Sequence, residues 1–166
     1  IGGSGADTLN GSTGIDVLTG GAGADDFQFT IAANATGGTP SASVFERITD
    51  FNNGSDEIDF TATALTIDTA VATAVAGTAQ INSEGFANFE TTDNTLTEKL
   101  TAAENAIANG GASAGDIAIL EHSGSTYVFV AGDNIGGLAS DDAFIELTGV
   151  TGLSNSTITG GDLFIA

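Results

Sequence analysis

The 166-residue sequence predicts a mostly β fold: a parallel β-roll followed by a β-rich C-terminal cap region with about one α-helix. Three observations predict it. A nine-residue period runs through residues 2–28. Short runs rich in β-branched and aromatic residues recur from residue 44 to the C-terminus. One stretch, 95–109, carries helical spacing with its own start and stop signals.

Residues 2–10 read GGSGADTLN, 11–19 read GSTGIDVLT and 20–28 read GGAGADDFQ. Asp7, Asp16 and Asp25 share position six, and Leu9, Leu18 and Phe27 share position eight. Gly5, Gly14 and Gly23 share position four, whereas Ser12 stands where the other repeats have a second glycine. Six residues of glycine, small side chain and Asp make a tight turn, because glycine reaches positive φ and lets backbone carbonyls crowd together. The next three form a very short strand whose large apolar residue points inward. Two repeats complete one coil, so turns of alternate repeats stack on the same edge. Stacked turns present carbonyls and carboxylates to one another, an all-oxygen cage that suits Ca²⁺ with its about six to eight ligands.

The charge agrees with a cation partner. Twenty-two acidic residues face only Lys99 and Arg47, a formal net charge of −20. Without a cation the stacked carboxylates would repel one another. The same balance excludes a nucleic-acid binder, which must neutralise phosphates, and disfavours an anionic membrane surface. No apolar run reaches the length of about 18 residues that a transmembrane helix needs. Cysteine is absent, so disulfides and thiolate zinc sites are excluded. The chain opens on Ile1 and not on Met, which reads as a piece of something longer.

Beyond the repeats, Phe27 and Phe29 start a longer strand, and residues 33–42 read as a loop. Strands are expected at 44–51 and 57–60, with an acidic loop between them. There, Asp50, Asn52 and Asp56 surround Gly54. They could wrap a cation, or form a solvated acidic turn. The Ala/Thr-rich stretch 61–92 has no clear preference, since Thr and Val favour strand while Ala favours helix. At 95–109, Thr95 and Glu98 form a capping box, Leu96, Leu100, Ala103 and Ile107 share one face, and Gly110 and Gly111 end the helix. Runs 116–121 and 125–131 flank His122-Ser123-Gly124 as a hairpin. Runs 143–148 and 162–166 are further strands.

The nonapeptide Gly-Gly-x-Gly-x-Asp-x-Leu/Phe-x resembles the RTX (repeats-in-toxin) repeat of bacterial proteins exported by type I secretion. The resemblance implies Ca²⁺ held between repeats n and n+2. Asp7 and Asp25 would face one site, with the carbonyls of Gly2, Ser4, Gly21 and Gly23. Asp16 and the carbonyls of Gly11 and Thr13 would lie on the opposite edge, their partner turn either before Ile1 or after Phe29. The string ITDFNNGSDEIDF resembles the segment that closes the β-roll in serralysin proteases and their relatives, with Asp50 and Asp56 as further candidate ligands. The order TYVFV, AFIELTGVTGL, DLFIA resembles the C-terminal region of RTX-type S-layer proteins and serralysin-like secreted proteins. This implies that residues 1–60 are the end of a calcium-binding roll with its cap. Residues 61–166 are then a type I secretion and assembly domain, with DLFIA as the uncleaved signal. The implied partners are calcium ions, a type I secretion transporter, and other copies or the cell surface. The implied location is secreted, extracellular or at the cell surface. The chain reads as non-catalytic and adhesin- or S-layer-like. The alternative is the C-terminal module of a secreted hydrolase, a serralysin-like protease or a lipase.

Two patterns imitate catalysis. Gly111-Ala112-Ser113-Ala114-Gly115 fits G-x-S-x-G, but it follows a helix and precedes a strand, the reverse of a nucleophile elbow. Ser113, His122 and Asp116 supply the residue types of a triad, which is recognised by geometry and not by composition. The HExxH metalloprotease motif is absent.

Overall fold

The apolar residue at position eight of each repeat decides which way the strands face. In a computed structural model, which describes residues 1–30, 43, 45–60, 63–67, 74–111, 113–132, 138–159 and 161–166, each nonapeptide is a turn and a very short strand. The strands of this part are β1 (Gly3–Ser4), β2 (Thr8–Asn10), β3 (Val17–Leu18), β4 (Gly21–Ala22) and β5 (Asp26–Phe29). β1 pairs with β4 and β2 with β5, both in parallel, with Gly3 opposite Gly21 and Leu9 opposite Phe27. The offset is 18 residues, so two repeats make one coil. β6 (Glu46–Ile48) and β7 (Glu57–Phe60) then lie in parallel on β3 and β5, with Ile48 beside Leu18 and Ile58 beside Phe27. Residues 45–60 therefore form a further coil, although the glycine pattern has ended.

The chain continues through an antiparallel pair, β8 (Gln80–Ile81) and β9 (Ala87–Asn88), into α1 (Leu96–Gly110). Thr95 Oγ1 accepts the Glu98 amide at 3.2 Å, Glu98 Oε2 accepts the Thr95 amide at 2.9 Å, and Gly111 ends the helix at φ 102°. β10 (Ile117–His122) and β11 (Ser125–Val130) form a hairpin whose two turn residues, Ser123 and Gly124, both have positive φ, as a type I′ turn requires. β12 (Ala143–Leu147), β13 (Ser156–Thr159) and β14 (Asp162–Ile165) complete the fold.

These strands extend the two walls of the roll. One sheet runs β10-β11-β12-β6-β3 and the other β13-β14-β7-β5-β2, so each wall crosses residue 60 without a break. Between the walls lies one apolar cluster that joins Leu9, Leu18, Phe27, Ile48 and Ile58 to Ile145, Leu147 and Leu163. On the far side of β10–β12, α1 packs Leu100, Ala103 and Ile107 against Leu120, Phe129 and Phe144. Both faces of β11 are thus buried, which explains its unbroken run Tyr127-Val128-Phe129-Val130.

The expected strands at 57–60, 116–121, 125–131, 143–148 and 162–166 coincide with β7, β10, β11, β12 and β14, and α1 spans the expected helix. Within 44–51 the strand covers Glu46–Ile48; Val44 and the loop expected at 33–42 lie outside the described residues. β13 is unexpected: its Ser-Thr-Ile-Thr offers one large apolar residue, and pairing with β14 fixes it. Among the described residues, no helix is long and apolar enough to cross a membrane.

Candidate metal centre

The turns of alternate repeats stack on one edge of the roll. The amides of Gly2, Gly3 and Gly5 donate to the carbonyls of Thr19, Gly20 and Ala22 at 2.8, 3.0 and 2.6 Å. This spacing tolerates no side chain at key points. A Cβ added at Gly23, whose φ is 148°, would collide with the Gly5 carbonyl, and one at Gly20 would collide with Asp25 Oδ2.

The carboxylates follow the coils. Asp25 Oδ1 accepts the Asp7 amide at 3.0 Å, so these two residues, 18 apart, stand one above the other. Asp25 is buried, while Asp7 Oδ2 is buried and has no hydrogen-bond partner. Gly2, Ser4, Gly21 and Gly23 lie in the same two turns, and their carbonyls are not the acceptors of the three turn bonds above. Gly11, Thr13 and Asp16 lie in the turn that joins β2 to β3, on the opposite edge. There the Asp16 amide donates to Glu46 Oε2 at 2.7 Å, and Asp16 Oδ2 is likewise buried without a partner. Of the two places expected for the partner turn of Asp16, the one after Phe29 falls largely outside the described residues, which bring Glu46 beside Asp16.

Residues 1–28 match the family model described as RTX calcium-binding nonapeptide repeat (4 copies). Residues 1–28 are RTX calcium-binding repeats. No curated protein matches the chain. RTX repeats bind Ca²⁺, and the residues present fit that ion. Asp7 and Asp16 each carry a buried carboxylate oxygen that lacks a hydrogen-bond partner, and glycines keep the space around Asp7 and Asp25 free of side chains. Among the described residues no group of three or more acidic or histidine side chains is placed to hold a metal ion, so a cation here would draw most of its ligands from carbonyls, as a hard oxygen-seeking ion can.

The coil at 45–60 uses its acids differently. Asp50 accepts the amides of Gly20 and Gly21 at 2.9 and 2.8 Å through its two oxygens. Asp56 accepts the Asp25 amide through Oδ1 at 3.1 Å and the Asn52 amide through Oδ2 at 2.8 Å. Asp56 thus stands under Asp25 as Asp25 stands under Asp7. Sequence reasoning missed Glu46 as part of this ladder. The signal was present: an acid, any residue, then an apolar residue recurs at Asp16-Val17-Leu18 and Glu46-Arg47-Ile48, but at a separation of 30 instead of 18.

The catalytic imitations do not assemble. Asp116 and His122 flank the two ends of β10, separated by roughly a strand length of 20 Å. Asp116 is buried and bonded to the Thr66 hydroxyl and the Ser113 amide.

Proposed function

We propose that this chain is a non-catalytic folding and export module whose RTX coil is ordered by calcium. Asp7 and Asp25 hold one ion with the carbonyls of Gly2, Ser4, Gly21 and Gly23. Asp16 serves the opposite edge with the carbonyls of Gly11 and Thr13, and Asp50 and Asp56 brace the coil beneath. The single observation that carries this reading is the 18-residue stacking of Asp7 on Asp25 with a buried, partnerless oxygen left on Asp7. A buried carboxylate oxygen without a donor is costly, and a cation removes that cost. A ligand that binds only the folded state, present at about 100 times its Kd, stabilises it by about 2.7 kcal/mol. Where calcium is scarce the coil stays loose; where it is abundant the coil folds.

The same logic suits export by a type I transporter, with residues 61–166 carrying the C-terminal address and the parent being a surface-layer or adhesin-like protein outside the cell. The −20 charge and the lack of cysteine support this reading. The test is far-UV circular dichroism of the chelated protein during Ca²⁺ titration. A gain of β signal that saturates is expected. An identical folded spectrum in excess chelator would overturn the proposal.

A further inference from the structure

The outer face of the β13-β14-β7-β5-β2 wall carries a second set of acids that the calcium coil does not use. β5 and β7 turn Phe27, Phe29, Ile58 and Phe60 inward, which leaves Asp26, Gln28, Glu57 and Asp59 outward. Asp26 lies opposite Glu57, and Gln28 opposite Asp59. On the other side of β7, Asp162 of the last strand lies directly opposite Asp59. Like charges facing each other across a strand pair are destabilising. Gln28 donates to Asp26 Oδ2 at 2.8 Å and Asp59 Oδ2 at 3.2 Å. From β13, Thr159 faces Asp162 and brings no charge. The chain's two cations act elsewhere. Arg47 pairs with Glu146 at 2.6 Å in the other wall, and Lys99 donates to the Glu121 carbonyl at 2.7 Å.

We propose that Asp59, directly opposite Asp162, is a proton-operated latch between the C-terminal strand β14 and the roll, closed while Asp59 carries a proton and loosened when it is ionised. Burial first, then the charges of Asp162 and Asp26 and the hydrogen bond to Asp162, hold the Asp59 carboxyl above the ordinary carboxylate range. A carboxyl raised in the folded state favours folding while protonated, and that contribution is lost as pH rises from the ordinary range through the raised value. β14 therefore grips the roll more firmly in mild acid than at neutral pH. The latch stands independently of the export reading.

Amide hydrogen exchange on the whole chain at saturating Ca²⁺, corrected for the intrinsic pH dependence of exchange, tests it. Local opening of residues 162–165 is expected to rise roughly two- to fivefold between the ordinary carboxylate range, about pH 4, and pH 7. Asp162→Asn and Asp59→Asn should each flatten that rise, and the double variant should add nothing further. Glu90→Gln, an exposed carboxylate outside the group, should keep the wild-type response. A rise that survives in both Asn variants, an opening that falls with pH, or a Glu90→Gln variant that flattens the rise equally would overturn the latch.

Discussion

Two stretches of the same roll, residues 2–28 and 45–60, both turn large apolar residues inward and hold their turns by different means. In the first, glycine lets the turns approach until carbonyls crowd, and Asp7 and Asp16 each keep a buried oxygen without a donor. In the second, the acids already meet amides: Glu46 takes that of Asp16, Asp50 those of Gly20 and Gly21, and Asp56 those of Asp25 and Asn52. A stacked turn needs something to satisfy its polar groups, and a cation or a carboxylate can do so. The first solution depends on the surroundings of the protein, and the second is carried within the chain.

The largest way to break the comparison is at the shared edge. Asp25→Ala is expected to lower Ca²⁺ affinity there by at least about tenfold, because it removes one of the few charged ligands an oxygen cage can offer. Asp7→Ala should act on the same ion, so the double variant loses little more, whereas Asp16→Ala should act independently. Calorimetric titration of the three single variants and two pairs decides it. Coupling of Asp16 with Asp25, and none of Asp7 with Asp25, would overturn the edge assignment.

The lower coil sharpens the contrast. Asp56→Ala leaves the amides of Asp25 and Asn52 without acceptors at a site only 3% exposed. A loss of about 1–3 kcal/mol in denaturant unfolding at saturating calcium is expected, with the number of bound ions unchanged. A lost ion in the titration would instead make 45–60 a calcium coil like its neighbour.

The smallest effect concerns the one repeat that departs from the pattern. Ser12 sits at φ 64°, left-handed backbone that costs an L residue about 1–2 kcal/mol, partly offset by its amide bond to Asn10 Oδ1 at 2.8 Å. Ser12→Gly is expected to stabilise the protein by up to about 1 kcal/mol, since glycine's added freedom in the unfolded chain takes back part of the gain. A thermal melt at fixed calcium reads it.

Elements with strong local chemistry were legible in the sequence. The nonapeptide carries its turn and strand in every copy, Thr95 and Glu98 announce α1, and Ser123-Gly124 closes a hairpin between two apolar runs. What the sequence concealed depends on distant partners. β13 exists because Thr157 and Ile158 find Phe164 and Leu163. Glu46 joins the acid ladder across a gap of 30 residues, where the period of nine no longer guides the eye. Asp50 and Asp56 were visible as acids, but whether they face a cation or an amide is decided by the turn stacked above them.

Tension would meet this architecture in an uneven way. Bonds between coils run across the strands, so a pull that draws Ile1 away from the body loads them one coil after another and not all together. Each coil of 18 residues that peels off releases about 60 Å of slack. Strands β10 to β12, clasped between α1 and the opposite wall, offer no such stepwise release. The roll in this sense yields coil by coil, and the strands beyond it hold or give way together.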